Sequence, residues 1–438
     1  MSVFADRLRG VVGQTLSGLP GAPDTARPIH VAARSLADAA EVLGGEWREQ
    51  RGQRFMVLDR KYAPGHRHGH VAVADTLPPD ERTWPRFPLL NNAAAPRKEG
   101  RMLFVDLETT GLAGGAGTYA FLVGCAWYQD GGLRIRQFFL SDFGAERALL
   151  EAVREVAGTS GAVVTYNGKS FDLPLIETRF LLHRLETPFS ALPHVDMLHP
   201  ARRLWREESD DDQDAGRVMG RQTGSCRLTS LEQTLCGYVR EGDVPGFEIP
   251  SRYFHFVRTG DARGLAAVME HNRLDLISLA MLAAHASQLL EDGPAAARTS
   301  REALGMGRLY ERSGMSVDAR AAFLRAAEHS DGDAATRAEA WRSYAVISRR
   351  ERRFHDAADA WRRILELRGC PPGILREASE ALAVHHEHRL RDFDAARTFA
   401  LQSLHLNTTR SRQAATQHRL ARLDRKLGET RAEPMPLF

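Results

Sequence analysis

The 438-residue chain has few cysteines, few lysines and no long apolar run, and each shortage closes off a class of protein. Its four cysteines, Cys125, Cys226, Cys236 and Cys370, form no CxxC pair. That excludes a disulfide scaffold and argues against a cysteine-rich zinc site; Cys226 and Cys236 read as buried thiols. The longest apolar run, Tyr119 to Tyr128, is half the ~20 residues a membrane span needs. The N-terminus mixes Asp6, Arg7 and Arg9 with single hydrophobes and carries no signal-peptide core, so no membrane partner and a cytoplasmic location are expected. What remains is ordinary: 43% hydrophobic and 26% charged residues exclude wholesale disorder. The length suggests two to three domains.

Charge is nearly balanced, 59 Lys and Arg against 56 Asp and Glu, but it is unevenly spread. From Ala295 onward there are 26 basic against 19 acidic residues, and before it 33 against 37. Only Lys61, Lys98, Lys169 and Lys426 are lysines. The planar fork of arginine suits phosphate, although GC-rich codon usage produces the same excess.

Residues 1–98 form a leader punctuated by proline and glycine. A short helix is expected at Ser35 to Leu43, a strand at Arg54 to Leu58, and a proline-rich connecting arm from Thr76 to Lys98. Residues 99–292 alternate strand and helix patterns. Met102 to Val105 is a strand ending in Asp106, and Tyr119–Tyr128 and Leu133–Leu140 form a hairpin about Asp130-Gly131-Gly132. Glu146–Val156 is helical, Ala162–Tyr166 a strand, Leu173–Leu185 helical, and a long helix runs from about Asp261 to Leu290. Residues 206–226, with Asp210-Asp211-Asp212, are a polar insertion. Past Gly293 no strand signal survives. Asp318-Ala319 with Phe323, Asp356-Ala357 with Trp361, and Asp394-Ala395 with Phe399 repeat every 38 residues. The aspartate reads as an N-cap, the alanine and aromatic share a helix face, and residues 295–428 resemble tetratricopeptide repeats ahead of a tail at 429–438. The fold class is therefore α/β followed by an all-α helical-repeat domain.

Three short motifs carry chemistry. In Asp106-Leu107-Glu108-Thr109-Thr110-Gly111, strand geometry points Asp106 and Glu108 to the same side, where a divalent cation would offset their repulsion. In Tyr166-Asn167-Gly168-Lys169-Ser170-Phe171-Asp172, Asp172 begins a helix with Pro174 in its first turn, which an N-cap role also explains. Phe171 is expected in the core. Gly168-Lys169-Ser170 mimics the end of a P-loop, but the first glycine that motif needs would fall at Val163. The glycines between Gly111 and Gly117 precede a strand rather than a helix, unlike a dinucleotide fingerprint. In His271-Asn272-Arg273-Leu274-Asp275, the i, i+4 spacing sets His271 and Asp275 on one face, as a surface pair also would. His66, His68 and His70 alternate but lack an acidic partner nearby in sequence. Asp196 reads as a satisfied structural aspartate.

Taken in order, these motifs resemble the signature of the DEDD exonucleases of the ribonuclease H-like superfamily. The segments 114–124 (GGAGTYAFLVG), Leu228-Thr229-Ser230-Leu231-Glu232, Ile249-Pro250 with Tyr253, and His271-Asn272 through Leu279 resemble its YprB-type branch. The resemblance covers roughly residues 100–290 and implies a ribonuclease H-like mixed sheet flanked by helices. It implies a 3′–5′ exonuclease acting on DNA or RNA, with Asp106, Glu108, Asp172 and Asp275 holding two divalent ions, Mg²⁺ or Mn²⁺. His271 would then serve the attacking water, and Thr109, Thr110 and Asn167 would position the strand. In this superfamily a catalytic histidine usually stands five residues before the last aspartate; here the separation is four, the spacing of its tyrosine subgroup. Two alternatives share the fold: an inactive nucleic-acid clamp whose repeats recruit a protein partner, and a structure-dependent endonuclease.

Overall fold

The computed structural model describes residues 33–79, 81–90, 100–111, 117–205, 226–406 and 409–432, with the side chains of 33–37 and 429–432 excepted. The expected polar insertion, save Cys226, and the end of the tail from residue 433 lie outside the described residues. The chain divides into two compact units: residues 1–199 with 214–288, and residues 200–213 with 289–438.

The first unit is built on a seven-stranded mixed sheet. Its strands are β1 (Glu46–Gln50), β2 (Gln53–Tyr62), β5 (Arg101–Thr109), β6 (Ala120–Gln129), β7 (Gly132–Phe139), β8 (Ser160–Thr165) and β9 (His194–Asp196), in the order β1-β2-β7-β6-β5-β8-β9. Two further strands, β3 (Arg67–His68) and β4 (Val71–Ala72), pair only with each other. β5 runs antiparallel to β6 and parallel to β8, which is parallel to β9. The β6–β7 turn is Asp130-Gly131, both at positive φ (55° and 72°), the two-residue loop whose twist matches its strands.

β2 adds to the edge of β7, pairing Met56 with Phe139 through to Tyr62 with Leu133. The expected boundary at 98/99 therefore runs through this unit, because part of the leader is a strand of the same sheet. Phe55, Met56, Val57 and Leu58 are all buried, so the segment lacks the alternation that marks a one-sided strand. The proline-rich arm is likewise anchored, by buried Trp84, Phe87 and Leu90.

Helices cover both faces. The helices up to residue 292 are α1 (Ala33–Leu43), α2 (Glu146–Ala157), α3 (Asp172–Leu182), α4 (Leu198–Leu204), α5 (Leu228–Cys236), α6 (Ile249–Thr259) and α7 (Arg263–Asp292), with α4 from Pro200 and the end of α7 from Leu289 belonging to the second unit. Leu103, Val105 and Leu107 join Leu149, Val153 and Ile176 in one buried cluster. The opposite side of β5 carries Phe104, Asp106 and Glu108, and α7 packs across it. Among the described residues no helix is long and apolar enough to cross a membrane.

From Ser300 the second unit is a succession of helices: α8 (Ser300–Arg312), α9 (Ser316–Glu328), α10 (Ala334–Arg350), α11 (Phe354–Glu366), α12 (Pro372–His385), α13 (Phe393–His405) and α14 (Arg410–Ala432). Each 38-residue repeat falls on the second helix of a pair, α9, α11 or α13. Ala319 with Phe323 and Ala357 with Trp361 are buried together. The repeated aspartates are not the caps, however. Met315, Arg353 and Asp392 hold the cap positions, and Asp318, Asp356 and Asp394 stand inside the first turn, where a negative charge favours the helix dipole.

Candidate active site

Asp106 and Glu108 lie partly buried in the C-terminal half of strand β5, ahead of a register shift between Glu108 and Thr109. Such an irregularity at a strand end re-aims the side chains beside it. Gly124 on β6 pairs with Asp106, and a Cβ there would stand 2.4 Å from the Asn272 Oδ1. Glycine at this position lets fully buried Asn272 of α7 sit on the sheet and reach Asp106. Its Nδ2 donates to the Asp106 carbonyl at 3.2 Å and to Oδ2 at 2.7 Å. Buried Gln137 fixes that amide, donating to Asn272 Oδ1 at 2.8 Å and to the Met269 carbonyl at 2.8 Å.

The segment between β8 and α3 brings in Asp172. Asp196 on β9 holds it in shape, its Oδ1 accepting from Asn167 N–H at 2.7 Å and its Oδ2 from Lys169 N–H at 3.0 Å. Asp196 is thus the structural aspartate expected of it, and Asn167 adopts positive φ (63°) within this bend. Gly168 lies directly below the site: a Cβ on it would meet Asp172 Oδ2 at 2.9 Å. The N-cap of α3 is Phe171, with no side-chain cap bond, so the Asp172 carboxylate is not spent as the expected cap. Phe171 is not in the core as expected; it is 59% exposed, because the cap position turns it outward.

From α7, Asp275 completes the set. Arg240, almost wholly buried, donates from Nη2 to Asp275 Oδ1 at 2.6 Å, from Nη1 to Asp243 at 3.2 Å and from Nε to Glu232 at 2.7 Å. Glu232 also accepts from Ser278 and pairs with His68 Nε2 at 2.6 Å; His68 in turn stacks on Tyr238 at 4.0 Å. The acidic partner that His68 lacks in its own neighbourhood is therefore supplied from α5. His271 Nδ1 lies 2.6 Å from Asp243 Oδ1, and its Nε2 3.6 Å from Asp275 Oδ2. Asp243 is raised by burial, but the bonds from His271 and Arg240 outweigh this and hold it below the usual carboxylate range. An ionised carboxylate only accepts, so the Nδ1 of His271 carries the proton and Nε2 faces Asp275.

The four acids act on one another. Burial raises Asp106 well above its ordinary range, and the charges of Asp275, Glu108 and Asp172 raise it further, with the Asn272 bond opposing. Burial, then Asp275, Asp172 and Asp243, do the same to Glu108. Asp172 is pushed up to about 7 by burial, Asp196 and Asp275. Asp275 is raised by burial and by Asp243 against the pull of His271 and Arg240. Carboxylate oxygens, whose negative charge Arg240 partly offsets at Asp275, are the donor type that hard divalent cations take. Among the described residues, no group of three or more His, Cys, Asp or Glu side chains is placed so that it could hold a metal ion.

Thr109 and Thr110 shape the loop that follows β5. The Thr109 hydroxyl donates to the Gly111 carbonyl at 2.9 Å, and the Thr110 hydroxyl accepts from Tyr119 N–H at 2.9 Å. Residues 112–116 lie outside the described residues. Cys226 is half-buried rather than buried as expected, Cys236 is buried, and neither is in a disulfide. Arg240 and Asp243 belong to none of the sequence motifs, and although His68 and Glu232 each stand in one, the 164 positions between them hide their pairing from the sequence.

Residues 103–287 match the family model of the RNase H superfamily. The chain is 30% identical over 354 residues to the uncharacterized protein YprB of Bacillus subtilis (strain 168), which covers 80% of each chain.

Proposed function

The chain belongs to the ribonuclease H superfamily together with YprB, and from that premise we propose that it is a metal-dependent 3′–5′ exonuclease cutting phosphodiester bonds of DNA or RNA. The observation that carries this reading is the convergence of Asp106, Glu108, Asp172 and Asp275 from a strand, a strand–helix junction and a helix, with the charge of Asp275 raising the proton affinity of the other three. These four would hold two divalent ions, Mg²⁺ or Mn²⁺, which when bound supply charge stabilisation at the phosphate and a more acidic water.

The remaining roles belong to the chain itself. Arg240 fixes one oxygen of Asp275 and leaves the other toward His271. His271, oriented by Asp243, presents Nε2 to take the proton of the attacking water. Asn272 sets the rotamer of Asp106. Exposed Phe171 offers a face on which a terminal base can stack, and Thr109, Thr110 and Asn167 border the path of the strand. The tetratricopeptide-like reading of the second unit, with a protein partner there, belongs to the same proposal.

The test uses end-labelled single- and double-stranded DNA and RNA with Mg²⁺ or Mn²⁺, comparing wild type with Asp106→Ala. Stepwise shortening from the 3′ end that the substitution abolishes is the expected outcome. Internal cuts on strands with blocked 3′ ends would make the enzyme an endonuclease. Binding without any shortening would leave a clamp in its place.

A further inference from the structure

The positive charge that accumulates after Ala295 is gathered in part at one place in the second unit. On α8, Arg301, Arg308 and Arg312 recur at helical spacing and share a face. Gly305 lies in that face, and a Cβ on it would stand 2.2 Å from the carbonyl oxygen of Arg203 and 3.0 Å from the Cα of Leu204. Any side chain there would push the end of α4 away; glycine lets Arg203 close against the row. Trp205 fastens the approach, its Nε1 donating to buried Glu302 at 2.8 Å.

The result is a cavity of about 570 Å³ lined by Arg202, Arg203, Arg301 and Arg308, with Glu339 the one carboxylate among its described lining residues. Its walls include α8, α10 and the start of α12, the first helices of successive pairs. Acids stand near these arginines, Asp333 at 3.4 Å from Arg301 and Glu339 at 3.6 Å from Arg308, with Glu339 shared by Arg342. Burial lowers the Arg203 pKa, and the charges of Arg312 and Arg308 lower it further, as crowded like charges do. Pockets for small neutral ligands are mainly apolar, whereas this one presents planar cationic forks that match phosphate oxygens two at a time.

We propose that this arginine-lined cavity binds the phosphodiester backbone of a nucleic-acid strand. The choice of nucleic acid over another polyanion rests on the nuclease reading of the first unit, where basic and acidic residues balance, so the second unit carries the chain's positive surplus.

The test measures binding of fluorescein-labelled single-stranded DNA and RNA to the full chain in EDTA, by anisotropy across a salt titration. Each lost phosphate contact on a single strand lowers the slope of log K against log salt by about 0.7, so Arg202→Gln with Arg308→Gln should reduce it by about 1.4. At ~0.2 M monovalent salt the same pair of changes should weaken binding about tenfold. Glu339→Gln should act in the opposite direction and tighten binding, an effect that mere loss of structure would not produce. Arg202 and Arg308 are exposed, so their replacement leaves the packing intact. An unchanged slope in the double variant overturns the proposal, and so does a wild type that binds neither strand. Loss of binding to an acidic peptide with oligonucleotide binding untouched replaces the strand with a protein partner. Because binding is read without metal, a wild type that binds with full slope but never shortens a strand sinks the nuclease reading and leaves this site standing.

Discussion

The candidate active site and the arginine-lined cavity are opposite answers to one electrostatic difficulty. In the first unit, four carboxylates crowd together with Arg240 as the buried counter-charge bonded to Asp275. In the second, four arginines stand with one carboxylate among the cavity's described lining residues. Neither arrangement is the most stable way to pack a protein, since like charges brought together raise the energy of the fold. A cluster of acids is relieved by a small, hard cation, and a cluster of guanidinium groups by an extended anion. The difference suggests a division of labour in which acids do chemistry and arginines hold the strand.

That comparison can be broken at its strongest point. Asp172→Asn should lower kcat by about a thousandfold or more, the scale of losing a preorganised charged group, while leaving strand affinity nearly unchanged. Steady-state kinetics beside anisotropy would separate the two. A variant that loses affinity but not turnover would put Asp172 on the wrong side of the division.

Arg240→Met comes next. It leaves Glu232, Asp243 and Asp275 without their shared donor, and breaking a buried ion pair from one side costs about 3–5 kcal/mol. Urea unfolding would read this, and a loss below ~1 kcal/mol would mean that Arg240 is not the counter-charge described here.

The acids also set a pH dependence of defined sign. Asp172 has a folded-state pKa pushed up to about 7 against an ordinary 3.8, and Asp106, Glu108 and Asp275 are shifted the same way. Between about pH 4 and 7 the native state therefore holds more protons than the unfolded chain, so stability falls as pH rises through this window. Tm in EDTA should drop by several degrees from pH 5 to pH 8, and Mn²⁺ should restore it at pH 8. Asp172→Asn should flatten the profile. A Tm that rises across that interval would contradict the mutual repulsion.

The smallest effect concerns the helices. Asp392 caps α13 by accepting from Ala395 N–H, whereas Asp394 only sits in the first turn. Asp392→Ala should cost about 1 kcal/mol and Asp394→Ala a few tenths. Equal losses in thermal unfolding would return the cap to the repeat's own aspartate.

What the sequence revealed follows the range of each interaction. The pairing of Asp106 with Glu108 needs only strand geometry, and His271 with Asp275 only helix geometry, so both were legible. The Asp130-Gly131 turn and the 38-residue period were legible for the same reason. The roles of Arg240 and Asp243 depend on contacts with residues 28 to 35 positions away, and His68 meets Glu232 across 164 positions. No local pattern encodes such meetings. β2 escaped as part of the sheet because a strand buried along its centre does not alternate, and Phe171 misled because an aromatic beside a helix start looks like core.

The most direct measurement is calorimetric titration of Mn²⁺ into the metal-free full chain near pH 6.5, in buffers of different ionisation enthalpy. Acids that hold protons at that pH must release them to bind an ion, so the account predicts binding with a buffer-dependent heat that Asp106→Asn and Asp172→Asn each abolish. Absence of Mn²⁺ binding to the wild type, or binding that survives both substitutions, would contradict the claim that these carboxylates form a metal-dependent catalytic centre.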